Sequence, residues 1–198
     1  MTDYFSVFDL PRKLQIDLSA LQQRFYALSR RHHPDFHQAA SEAEQAATLE
    51  RSALVNRAYR ALRDPVARLE YLIALEEGRD AREADPAKPK PPTDLLAELL
   101  EIQEALEEAR ADGLTPETST RLEWEHRDLT ARRAAEEAAM IERFADWDRA
   151  VDSGGERASL LGEFKRLLGR QAYLRTVIDD LADALGGAPE RHVAHRRH

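Results

Sequence analysis

The chain has 198 residues, 42% of them hydrophobic and 33% charged, with a formal net charge of −8 and no cysteine. That length allows one large domain or two small ones. The missing thiols exclude disulfides, Cys-ligated zinc, thiol catalysis and thiolate ligation of an iron–sulfur cluster by this chain, and the acidic balance argues against general nucleic-acid binding, which rests on cationic contact with phosphates. No apolar run approaches the ~18 residues of a membrane span. The start, Met1-Thr2-Asp3-Tyr4-Phe5, has neither a basic n-region nor an Arg-rich presequence. A cytoplasmic protein without a membrane partner is expected.

Alternating β-branched runs are absent, and Ala, Leu, Glu and Arg dominate, so the fold is expected to be all-α. In chain order, a short helix is predicted over Asp3 to Asp9. A second runs from Leu18 to Arg31, N-capped by Asp17 or Ser19, with Leu18, Leu21, Phe25 and Leu28 as its apolar stripe. A third runs from about Ser41 to Arg63, with Leu49, Val55, Tyr59 and Leu62 inward. Asp64-Pro65 reads as an N-cap followed by a proline at the first helical position, opening a fourth helix to about Glu77. The stretch from Ala84 to Thr93 carries four of the nine prolines and reads as a semi-rigid extended linker. Beyond it a helix is predicted over Asp94 to Ala111, a long one from Thr115-Pro116-Glu117 to about Val151, and a last one over Glu156 to Leu185. Short Gly-containing turns join these three, which suggests an antiparallel three-helix bundle. The expected division is an N-terminal helical domain over 1–83, a linker over 84–93, a bundle over 94–185 and a disordered basic tail over 186–198.

The stretch with functional content is Arg30-Arg31-His32-His33-Pro34-Asp35. Pro34 disfavours helical geometry at His33 and helps end the preceding helix. His33, Pro34 and Asp35 are then presented on a tight turn of a rigid scaffold, where recognition residues tend to sit. Arg24, Arg30 and Arg31 make a basic patch on an otherwise acidic chain, suited to steering an acidic partner.

Three ordered segments carry a resemblance: Asp3-Tyr4-Phe5-Ser6-Val7-Phe8-Asp9-Leu10-Pro11, then His33-Pro34-Asp35, then Val55-Asn56-Arg57-Ala58-Tyr59-Arg60-Ala61-Leu62-Arg63-Asp64-Pro65. With them the first seventy-odd residues resemble a J domain, the helical hairpin with an exposed His-Pro-Asp loop that activates heat-shock chaperone ATPases. Arg68-Leu69-Glu70-Tyr71-Leu72 and the single acidic bundle resemble one subfamily, HscB, the J-type co-chaperones of iron–sulfur cluster assembly. The resemblance covers about residues 3 to 185. It implies a two-sided adaptor that is not itself an enzyme and holds no cofactor. His33, Pro34 and Asp35, supported by Arg24, Arg30 and Arg31, would bind an HscA-type (DnaK-like) chaperone and stimulate its ATPase. The bundle would bind the IscU-type iron–sulfur scaffold and deliver it. Leu100-Glu101-Ile102-Gln103-Glu104-Ala105-Leu106 resembles a family segment that places Leu96, Ala97, Leu100, Glu101, Glu104 and Glu108 on the scaffold-binding face. Positions 97, 100, 101, 104 and 108 follow one side of a helix. Tyr173 resembles the family's aromatic contact on the last helix.

Plainer accounts compete at each feature. Arg68 is expected to be a structural support, and Trp124 and Trp147 core or bundle-edge residues. His32, His33 and His37 might suggest a metal site, but Pro34 breaks their shared face. His192, His195 and His198 fit a disordered tail. No metal site is expected. A J-protein for a different client would differ only in the partner of the 96–108 face. A carboxylate and histidine metal-handling protein would instead bind metal stoichiometrically. An enzyme finds no nucleophile–base pair and no phosphate-cradling Gly-rich loop in the sequence.

Overall fold

The computed structural model of the chain describes residues 3–33, 41–79 and 93–186. Every regular element among them is helical: α1 (Tyr4–Val7), α2 (Leu18–Arg31), α3 (Glu42–Arg63), α4 (Pro65–Glu76), α5 (Leu96–Asp112), α6 (Pro116–Glu142), α7 (Phe144–Ser153) and α8 (Ala158–Ala184), with a 3-10 turn over Thr93–Leu95 leading into α5. No helix among the described residues is long and apolar enough to cross a membrane. The proline-rich stretch read as a linker, apart from Thr93, and the tail after Gly186 lie outside the described residues.

Local chemistry sets the helix starts. The Asp17 carboxylate accepts the N–H groups of Ser19 and Ala20 at 2.8 and 3.0 Å, opening α2. Ser41 and Glu44 form a reciprocal capping box at α3. Asp64 accepts the Ala67 N–H at 2.8 Å, with Pro65 as the first residue of α4. A side-chain cap of this kind stabilises a helix by roughly 1 kcal/mol.

By contacts the chain divides into two units. Unit 1 takes the described residues up to Arg79 together with Ile141–Phe164; unit 2 takes Thr93–Met140 and the chain from Lys165 onward. Residues 94–185, expected as one bundle, therefore fall in both units. The helix expected to run unbroken from 116 to 151 is two helices, parted at Arg143. No proline or glycine marks the break. The Arg143 guanidinium bonds Glu163 and lies 3.5 Å from Asp146, while Phe144 and Trp147 are each 1% exposed. Only Arg143 leaves the helical run, and α7 begins with both rings buried.

In unit 1, Phe25 of α2 stacks on Tyr59 of α3 with ring centroids 4.0 Å apart. Leu18 at the start of α2 lines a shallow pocket with Arg63 and Pro65 at the end of α3, so the two helices run antiparallel. Leu21, Leu62, Leu69 and Leu72 are fully buried, as expected of a hairpin core. Leu18 and Leu49, expected inward, are more than half exposed. On α3 the buried position is Thr48, one residue earlier, which turns Leu49 about 100° outward. Tyr71 of α4 holds the chain's first helix. Its ring stacks on Tyr4 at 4.3 Å, its hydroxyl accepts the Tyr4 N–H at 2.8 Å and donates to Asp3 at 3.2 Å. Burial pushes the Tyr71 phenol up to about 12. Arg68 is buried, donates to the Leu62 carbonyl at 2.5 Å and lies 6.0 Å from the Phe144 ring centre. Burial lowers its pKa below the usual arginine value. That setting is structural.

Asp148 of α7 ties residues distant in sequence. Its side chain is buried, and its two oxygens accept the successive N–H groups of Leu14 and Gln15 at 2.8 and 2.9 Å. Hydrogen bonds to an ionised group contribute about 1.5–3 kcal/mol each, and losing the carboxylate leaves two backbone donors unpaired. Asp148→Ala is expected to lower unfolding stability by about 3 kcal/mol in urea titration, and Asp148→Asn, which keeps one acceptor oxygen, by about half that. A change under about 0.5 kcal/mol, the range of an ordinary surface substitution, would show that this tie carries no stability.

Unit 2 is built on one core. Leu95, Leu99, Ile102 and Leu106 meet Leu122 and Leu129 of α6 and Leu174, Val177, Ile178 and Leu181 of α8. Around it, Arg170 of α8 grips two elements at once. Its Nη1 donates to both oxygens of Asp94 at 2.7 Å, and its Nε to both oxygens of Glu136 at 2.9 and 2.8 Å. The hydrogen bond from Arg170 holds the Asp94 carboxyl below the usual carboxylate range. Arg132 of α6 bridges Glu98 of α5 at 2.8 Å and Asp128 at 2.9 Å.

Candidate functional site

Two surfaces hold the residues singled out from sequence, one in each unit. In unit 1, α2 ends with Arg30 and Arg31 in its last turn, where cations favour the negative end of the helix dipole. The His32 N–H donates to the Leu28 carbonyl at 3.0 Å, and the His33 N–H to the Arg30 carbonyl at 3.4 Å. His33 is thereby fixed to the exit of α2 and exposed, as are Arg30 and Arg31. Pro34 and Asp35, and His37 with them, lie outside the described residues.

Arg24 lies about 20° round α2 from Arg31 and about 120° from Arg30. Its Nη1 bonds the carbonyl of Phe8 and, at 2.6 Å, that of Asp9. Asp9 has a positive φ of 50°, so its carbonyl closes a tight turn after α1. Arg24 thus pins that turn to α2 while its side chain stays exposed.

In unit 2, α5 has two faces. Leu99, Ile102, Ala105 and Leu106 are buried. On the other side Leu96 and Leu100 are 46% and 53% exposed, and Ala97, Glu101, Glu104 and Glu108 are exposed with them. All six expected residues of α5 therefore share one outward surface. Glu101 lies 3.9 Å from Arg121 of α6. Tyr173, expected as their partner on α8, is half-buried and packs against the core of unit 2. The outward leucine pair lies off the apolar stripe that α5 buries.

Two further side chains of α6 stand out. Trp147 is core, but Trp124 of α6 is 57% exposed. Glu125, beside it, is half-buried, and burial together with the neighbouring Glu98 raises its pKa above the usual carboxylate range. A periodicity count would have found Trp124: it lies about 200° from the buried Leu122.

A helical hairpin of α2 and α3 with an exposed histidine at the exit of α2, together with a second helical unit, fits the class of J-domain proteins with an additional helical bundle. No family model matches the chain. Among solved structures it is similar to chaperone HscB from Vibrio cholerae, with 26% identity and a TM-score of 0.59 over 93% of this chain and 99% of that one. It is also similar to the human co-chaperone protein HscB, with 26% identity and a TM-score of 0.61 over 91% of this chain and 81% of that one. These likenesses support an HscB-type co-chaperone.

Proposed function

We propose that this protein serves iron–sulfur cluster assembly by joining two partners. The α2 exit, with His33, Pro34 and Asp35 flanked by Arg30 and Arg31, engages an HscA-type chaperone and stimulates its ATPase. Arg24 supports that surface by holding the turn after α1. The outward face of α5, with Leu96, Ala97, Leu100, Glu101, Glu104 and Glu108, binds the IscU-type scaffold and brings it to the chaperone, and Tyr173 acts from beneath as a packing residue. The chain carries no ATPase chemistry in this reading. It works by contacting one state of the chaperone better than another, which is what shifts a conformational equilibrium.

The observation that carries the reading is that the likeness to HscB spans 93% of this chain and 99% of that one. The test is the steady-state ATPase rate of a cognate HscA-type chaperone with this protein, with the scaffold, and with both. Stimulation by this protein and a further rise with the scaffold are expected. Stimulation indifferent to the scaffold would favour a J-protein for another client. No stimulation of a verified active chaperone would end the reading.

A further inference from the structure

The exposed large apolar side chains of unit 2 are concentrated. Among the described residues they are Leu96, Leu100, Leu114 and Trp124, all on α5, α6 or the turn between them, and none on α8. Scattered exposed leucines need no explanation, but a group that includes a tryptophan marks an interaction site. Trp124 offers on the order of 100 Å² of ring surface at its exposure of 57%.

Its place on α6 ties it to the α5 face. Arg121, one turn before Trp124, reaches Glu101 of α5 at 3.9 Å, and Arg132, two turns beyond it, holds Glu98 at 2.8 Å. Those two pairs bracket position 124 at the level of α5 residues 97 to 101. Trp124 lies about 60° round the helix from Arg121, on its outward side. Ala97 presents only a methyl group at this level, so the wide apolar element there belongs to α6. The α5 side is acidic, with Glu101, Glu104 and Glu108 exposed, while on α6 Glu123 is exposed together with Arg121 and Arg127. Aromatic anchors at the centre of an interface carry a disproportionate share of binding energy, and rim charges set orientation.

We infer that Trp124 is a second anchor of the client-binding surface, which spans α5 and α6 and fits a protein presenting an apolar patch rimmed by lysine and arginine on the side facing α5. This rests on the reading of α5 as the scaffold-binding face and adds an aromatic residue of α6 to it.

Titration calorimetry of the full chain against an IscU-type scaffold protein tests it. Trp124→Ala is expected to weaken binding about 10- to 100-fold, with Trp124→Phe recovering most of the affinity and the melting temperature unchanged in both. A second measurement needs no variant. Trp147 is 1% exposed, so iodide quenches Trp124 selectively in this chain, and a tryptophan-free scaffold should protect it. Wild-type affinity in Trp124→Ala with unprotected fluorescence, while Leu96→Ala still loses affinity, overturns the inference and leaves the α5 face standing. Absence of any binding by the unaltered chain overturns both.

Discussion

Replacing His33 by glutamine is expected to abolish stimulation of the HscA-type ATPase while leaving the helical circular dichroism and the melting temperature unchanged. The side chain is exposed at the exit of α2, and an exposed substitution away from a cap or core moves stability by no more than about 0.5 kcal/mol. Function is a different matter. Activation requires a contact that distinguishes two states of the chaperone, and a single polar group at a rigid helix exit can carry that difference. Glutamine retains hydrogen-bonding groups but neither the aromatic ring nor the capacity to become cationic. Arg30→Ala should weaken association without abolishing the stimulated rate at saturation, because a neighbouring cation steers encounter more than it fixes the bound state. Undiminished stimulation by His33→Gln would remove the J-domain function from this unit.

The second large effect falls on unit 2. Leu96→Ala combined with Leu100→Ala is expected to weaken scaffold binding by about 3 kcal/mol, on the order of 100-fold, measured by titration calorimetry. Each leucine is about half exposed, so truncation leaves no buried cavity and the fold should tolerate it. Leu99→Ala is the informative contrast. Leu99 is 3% exposed and belongs to the core of unit 2, so it should lose about 2–5 kcal/mol of stability instead. Two leucines one residue apart, 99 and 100, then separate folding from recognition. Equal loss of stability in the double variant and in Leu99→Ala would mean that the outward face has been misassigned.

What could be read beforehand was what local chemistry decides. Asp17, Ser41 and Asp64-Pro65 announce helix starts because a cap and its amide partners lie within three residues of one another. The α5 surface was named through the resemblance of its Leu100 to Leu106 segment, and the spacing of 97, 100, 101, 104 and 108 agreed with a single outward face. The break at Arg143 was not legible, since nothing in its neighbourhood stops a helix. Phe144 and Trp147 are buried just beyond it, and that burial is a long-range fact. Asp148 sits in a helix crowded with charge and looks like one more solvated carboxylate; only the Leu14 and Gln15 amides distinguish it. Arg24 shares a helix face with Arg31, which spacing shows, but sequence does not show that the carbonyls of Phe8 and Asp9 lie within its reach. The two tryptophans, read together as core or bundle-edge, divide between those settings: Trp147 is buried and Trp124 exposed.

The discontinuity of unit 1 bears on how the protein is made. Leu14 and Asp148 are 134 residues apart, so at the ribosome's about 5–20 residues per second the amides of Leu14 and Gln15 wait roughly 7–27 s for their carboxylate. During that interval α1 to α4 can form and pair, but Phe144, Trp147 and Phe164 have not yet been added. The first helices to emerge are therefore among the last to be locked, and a nascent chain stalled beyond Arg79 carries a histidine-bearing hairpin whose own unit is still unfinished.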